Sequence, residues 1–304
     1  MKTINAEKLL SGLQFSSQLL FENQNTLNEL NFFPVADKDT GTNMAVSFQK
    51  TIIEALSASH SSPKDLMESV YFGMLNNGHG NSGTILTMFF EGFYYALPDA
   101  SVITASDLAK AFAAGSDRAQ CGVSNPIDGT ILSVAKAAAE AGLSVAEISD
   151  DSSLIWHRIT SEAHIALSFT AVRNPVLKKY KVIDSGAFGF CLILDGIHKV
   201  LCPTEKLPEY QMQFFRPDLT ENETDSSKKE LRYPFCTEFV MKMHSSADIN
   251  AFEQKIRPLG DCFLMIKKDQ IIKIHIHTEI PDKILSEAEK NGELLSKKID
   301  DMRK

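Results

Sequence analysis

The sequence predicts a mainly helical N-terminal domain over residues 1–203 and a smaller α+β domain over residues 231–304. Three observations predict this division. As far as about residue 203, apolar residues recur at three- and four-residue steps, the spacing of helices with one buried face. Residues 204–230, TEKLPEYQMQFFRPDLTENETDSSKKE, are polar, charged and without period, which reads as a linker. Beyond them come short runs of alternating or β-branched character. With 304 residues the chain is long enough to bury two cores.

The helical elements follow in order. AEKLLSGLQFSSQLLFEN (6–23), NMAVSFQKTIIEAL (43–56), KDLMESVYFGML (64–75), SGTILTMFFEGFYYAL (82–97) and TILSVAKAAAEAG (130–142) all show the helical period. Between them stand DKDTGTN, GHGNSG, SNPIDG and DSGAFG, each at the start of an apolar helical run. A helix N-terminus exposes unpaired N–H groups and the positive end of the dipole, so such loops suit anions. In the second domain FCTEFVMKMH, DCFLMIKK and QIIKIHIHTE read as strands, with KKDQ as a hairpin turn. ADINAFEQKIRPL and PDKILSEAEKNGELL read as helices. Phe89, Phe90, Phe93, Tyr94 and Tyr95 read as helix core, and Lys178-Lys179 as a solvated helix end.

Composition narrows the classes. A net charge of -8 argues against general nucleic-acid binding. The opening MKTINAEKLLSGLQ lacks the apolar core of a signal peptide, and no run approaches the ~18 apolar residues of a membrane span. Five scattered cysteines read as reduced thiols of a cytoplasmic protein rather than a disulfide framework. Of these, Cys121, Cys191, Cys202 and Cys262 read as small apolar packing groups.

Two constellations carry chemistry. In FFPVADKDTGTNM, Asp37 and Asp39 at i and i+2 can converge on one hard cation in a bent loop, and Asn31 upstream could add a carbonyl oxygen. Thr40, Thr42 and Asn43 offer hydroxyls and N–H donors beside them. Taken alone, the same residues fit a solvated turn better. The glycines of Gly78-His79-Gly80-Asn81-Ser82-Gly83 let backbone approach a ligand closely, with Ser82 as the expected cap of the next helix. That loop matches neither a Walker A motif nor a Rossmann fingerprint. The second constellation is Cys236 with His275 and His277. An H-x-H pair on a strand puts two imidazoles on one face, and a cysteine from another strand could complete a zinc set. Spacing alone favours core or interface histidines.

Taken together, FPVADKDTGTNM, GNSGTIL, NPIDGTIL and NPVLKKYKVIDSGAFG resemble the nucleotide-binding domain shared by the L subunit of dihydroxyacetone kinase and bacterial fatty acid kinase (a DhaL- or DAK2-type domain). FCTEF, GDCFLMI, KIHIHTEIP and GELLSKKIDDMRK resemble the middle domain of fatty acid kinase. The resemblance implies an antiparallel helical barrel whose end loops hold ATP through two Mg²⁺ ions. It implies Asp37 and Asp39 as the magnesium-binding, catalytic aspartates, with Asn31 as a helper. Thr40, Thr42, Asn43, Asn81, Ser82, Gly83, Thr130, Asp184, Ser185 and Gly186 become the nucleotide-binding set. Phe188 and Phe190 could cover one end of the nucleotide or simply pack in the core. The family carries the same Cys/His/His trio, which makes Cys236, His275 and His277 a candidate zinc site. The implied acceptor is a fatty acid presented by a DegV-like fatty-acid-binding protein, and the implied assembly is a homodimer.

The departures from the family pattern raise alternatives. Lys38 replaces a glycine between the aspartates, Ala36 a proline, and His79 an arginine before GNSG. Asp128 replaces a glutamate, and Ala187 the second of two glycines. If the Lys38 position needs positive φ, strain is expected there. The alternative readings are a catalytically weak, ATP-binding regulatory protein and a dihydroxyacetone-type small-molecule kinase. The family continues into a third domain, so a chain stopping at Met302-Arg303-Lys304 is expected to be a fragment, a short form or half of a split enzyme.

Overall fold

A computed structural model describes residues 1–206 and 232–303. The linker assigned to 204–230 lies outside the described residues from position 207 onward. Ten helices make up the first part among the described residues: α1 (Ala6–Glu22), α2 (Gln24–Glu29), α3 (Thr40–Leu56), α4 (Pro63–Asn77), α5 (Gly80–Ala96), α6 (Ala105–Gly122), α7 (Ile131–Ala146), α8 (Ser152–Arg173), α9 (Pro175–Tyr180) and α10 (Ser185–Leu201). A short antiparallel pair, β1 (Thr3–Asn5) with β2 (Val102–Thr104), ties the N-terminus to the entry of α6.

The helices close on one core because each turns an apolar stripe inward. Leu9, Leu13 and Leu20 of α1 meet α10, where Gly12 lies against Ile197 and Gly196 against Ser16. Ser16 then donates to the Ile193 carbonyl at 2.6 Å, which satisfies its hydroxyl inside that contact. Phe89, Phe90, Phe93 and Tyr94 are buried as expected, but Tyr95 is 54% exposed and meets Lys268 from the second part instead. Phe188 and Phe190 are core residues. Lys178 and Lys179 end α9 in solvent.

The second part runs β3 (Phe235–Met243), α11 (Ile249–Ile256), β4 (Gly260–Lys268), β5 (Ile271–Thr278), α12 (Pro281–Asn291) and β6 (Gly292–Asp301). Its four strands form one antiparallel sheet in the order β4-β5-β3-β6, the split βαβ arrangement. The KKDQ turn is present, with Asp269 at φ 52. GELL, read from sequence as the end of a helix, opens strand β6 instead. Helix α12 stops at Asn291, and Gly292 takes the extended conformation against the Lys242 carbonyl, where no Cβ would fit.

Alternation along β5 decides how the two parts meet. Ile272, Ile274 and Ile276 face α11 and α12 and build a second core with Phe239, Phe252 and Ile284. Lys273, His275 and His277 face the other way, and they too are buried. Leu264 and Ile266 of β4 join the helical core directly. The polar face of the sheet is therefore pressed against the helical part. Lys273 donates its ammonium to the carbonyls of Leu75 and Gly78, closing the C-terminal end of α4.

Candidate functional site

The first loop is held by Asn31, which is almost fully buried. Its amide donates to the Val35 carbonyl at 2.6 Å and to Asp37 at 3.1 Å, and its side-chain oxygen accepts from Thr40. The turn brings Asp37 beside Asp39. Burial first, then the Asp39 charge and a hydrogen bond with Asp39, push the Asp37 carboxyl up to about 7. The largest influences on it include no basic side chain. Two crowded carboxyl groups with nothing cationic between them form a donor set suited to a hard divalent ion. Lys38 sits between them at φ 56, so the position does require the left-handed region, and its side chain is exposed.

Four helix N-termini converge near this pair. Thr40 starts α3, Gly80 starts α5, Ile131 starts α7 and Ser185 starts α10. Asp184 joins the last two, accepting from Ala187 N at 2.8 Å and Ile131 N at 3.2 Å, and burial raises its pKa to about 6. Gly186 permits the closest approach: a Cβ there would stand 2.9 Å from the Ser82 hydroxyl. Gly80, at φ +69, turns into α5 against Asn43. Ser82 is not the cap expected from sequence. Helix α5 begins at Gly80, which leaves Ser82 inside the first turn, with its hydroxyl lying against Gly186.

The nucleotide set divides by location. Asn31, Asp37, Asp39, Thr40, Asn43, Asn81 and Ser82 line one pocket. Thr42, Gly83, Thr130, Asp184, Ser185 and Gly186 stand behind it. Thr42 accepts from Gln24 and Asn28, Thr130 donates to the Ile127 carbonyl, and Ser185 donates to the Leu27 carbonyl. Gly83 packs on the backbone of Gly78. These six position the loops.

The far wall of the same pocket is the polar face of the sheet: Cys236, His275, His277 and Asp300. The two constellations, separate in sequence, share a single cavity. Cys236 on β3 pairs with His277 on β5, and the ligand atoms of Cys236, His275 and His277 lie within 4.8 Å of one another. His275 Nδ1 is 2.8 Å from Glu238, an acceptor when ionised, so Nδ1 carries the proton. That leaves Nε2 as the bare nitrogen, and it is buried without a hydrogen-bond partner among the described residues. An orphaned buried acceptor beside a thiol and a second imidazole fits a zinc-type ion. Burial, then Glu238 and Asp300, push the Cys236 thiol upward, and burial lowers the His277 pKa.

Not every cysteine packs as an apolar group. Cys191 and Cys202 do, but Cys121 is exposed. Cys262 occupies a bulge of β4 at φ 49, where its thiol, pushed up to about 12 by burial, meets Asp261 and Asn81. Sequence reading also missed Glu238, Asp261, Lys273 and Asp300. Their signal was the strand period: Glu238 follows Cys236 by two, and Lys273 precedes His275 by two.

Helical loops holding an acid pair, closed by a sheet that carries a Cys/His/His set, define a kinase-type protein of the DAK2 class. The DAK2 domain model matches residues 34–199, more than half of the chain, and the chain belongs to that family. The FakA-like fatty acid kinase middle-domain model matches residues 232–304, which places the chain among the FakA-like members. Protein YloV of Bacillus subtilis is 33% identical over 307 residues, covering 98% of this chain and 55% of that protein. Protein SH1689 of Staphylococcus haemolyticus is 32% identical, covering 99% and 55%. Protein SAUSA300_1119 of Staphylococcus aureus is 31% identical, covering 99% and 56%. The chain thus spans about half the length of the curated relatives it matches. Among the described residues no helix is long and apolar enough to cross a membrane.

Proposed function

We propose that the protein is an ATP- and Mg²⁺-dependent phosphotransferase that converts a fatty acid, presented by a DegV-like fatty-acid-binding protein, into its acyl phosphate. One observation carries this reading: the acid pair on the helix-end loops and the Cys/His/His set on the sheet line opposite walls of one pocket. Magnesium bound between Asp37 and Asp39 would neutralise phosphate charge, the chief requirement of phosphoryl transfer. Asn31 and Thr40 hold the two carboxylates in place. The N–H groups and side chains at Asn43, Asn81 and Ser82 would orient the triphosphate at positive helix ends. Cys236, His275 and His277 would hold a zinc-type ion on the facing wall, where it could orient an acceptor carboxylate. Lys38 points to solvent and does not line the pocket, which supports active chemistry over a purely regulatory role.

The test is acyl phosphate formed from ATP and oleate with a DegV-like carrier, trapped as the hydroxamate. Hydroxamate is expected with the wild-type chain. No product, while a full-length relative reacts in parallel, overturns the reading. ATP consumption with dihydroxyacetone alone replaces the acceptor.

A further inference from the structure

Glu238 belongs to neither constellation, yet its buried carboxylate touches both. Oε1 accepts from His275 Nδ1 at 2.8 Å and from the backbone N–H of Gly80 at 2.8 Å, and Oε2 accepts from His79 Nδ1 at 3.0 Å. Helix α5 receives no side-chain cap from its own N-cap residue, His79. Glu238, reaching over from the sheet, occupies the first free N–H of that helix. The same carboxylate fixes which nitrogen of His275 is bare.

The position carries an electrostatic contradiction. A helix N-terminus suited to a phosphate already has a carboxylate against its first N–H. Two anions compete for one positive end. A divalent ion on His275, one imidazole away from Glu238, would offset the carboxylate and ease the approach of a phosphate to Asn81 and Ser82. Lys273, on the same face of β5, acts on Glu238 in the same direction but is held by the α4 carbonyls.

Building on the nucleotide reading above, we infer that Glu238 is a positioning residue linking the two half-sites, so that metal on Cys236/His275/His277 and phosphate at the start of α5 strengthen each other's binding. The linkage is reciprocal: whatever factor metal adds to nucleotide affinity, nucleotide adds to metal affinity.

The experiment measures binding alone. The full chain is stripped of metal, and excess Mg²⁺ is restored. A non-hydrolysable ATP analogue is then titrated calorimetrically with and without one equivalent of zinc. Zinc is expected to tighten analogue binding roughly tenfold. Competition with a chromophoric chelator should show the same factor on zinc affinity when analogue is present. Glu238→Gln keeps the size of the side chain but removes its charge. It should bind zinc about ten- to a hundredfold more weakly and show little dependence of analogue affinity on zinc. His79→Asn leaves the Glu238–His275 bond intact, so it should keep zinc affinity while reducing the linkage, and it serves if Glu238→Gln fails to fold. Wild-type protein that binds the analogue equally with and without zinc overturns the linkage alone. Full linkage retained in Glu238→Gln removes Glu238 as its carrier. Failure of the wild type to bind the analogue in either form overturns the nucleotide reading and the linkage with it.

Discussion

Both parts of the molecule bury a cluster of histidines, and the two clusters do different things. In the helical part, His157 and His198 bond to each other at 3.0 Å, and His164 bonds to Asp195 at 2.6 Å, all between α8 and α10. In the sheet part, His275 and His277 stand beside Cys236, and one ring nitrogen faces its neighbours bare. The helical cluster spends its polarity on itself, away from any pocket-lining residue. The sheet cluster lines the cavity opposite Asp37 and Asp39. Burial therefore does not make a histidine a ligand. What matters is whether the second ring nitrogen is aimed at other donors in open space.

The largest expected effect sharpens that contrast at the pocket. Asp37→Asn should lower phosphoryl transfer by roughly a thousandfold while leaving thermal stability unchanged or higher, because it removes a carboxyl crowded by Asp39. A matched loss of stability and activity would break the contrast between pocket and packing groups. Second comes metal content. His275→Asn should weaken zinc binding by about a hundredfold or more, whereas His164→Asn should leave it as in the wild type. Elemental analysis after dialysis against a weak chelator reads the difference, and equal loss in both variants would refute it.

The third effect concerns pH and belongs to the helical cluster. Burial first, then His157, lower the His198 pKa from 6.5 to about 4. Between those values the unfolded chain takes up a proton that the folded chain refuses. The stability His198 contributes is thus complete above pH 6.5 and lost as pH falls toward 4. Between pH 7 and pH 5 the loss should be about 2 kcal/mol. Urea unfolding of wild type and His198→Gln at both pH values should show a flatter dependence in the variant, and parallel curves would clear His198 of the role. The smallest effect is at Lys38. Its left-handed backbone costs about 1 kcal/mol, which Lys38→Gly would relieve against a greater entropy in the unfolded state. A net gain of no more than ~1 kcal/mol is expected in the same urea assay.

Much of the site was legible because its motifs are local. Asp37, Asp39 and the glycine loop announce themselves by turn chemistry at the start of helical runs, and the helices appear at their periods. Ser82 was misplaced by two residues because Gly80 takes a positive φ that lets α5 start early. Strand β6 was missed because GELLSKKIDD lacks clean alternation and follows a helix without a break. Cys262 looked like packing filler, and only the bulge in β4 turns it toward Asn81.

By itself the sequence determined which segments become helix or strand and which side chains share a face, since those depend on periods of 3.6 and 2 along the chain. It also determined that His275 and His277 lie together on β5. Tertiary structure alone decided that this polar face meets the helix-end loops, that the two constellations open into one cavity, and that Glu238 bonds across both. Those facts depend on how one buried surface fits another across more than a hundred residues of chain, and no local period records that fit.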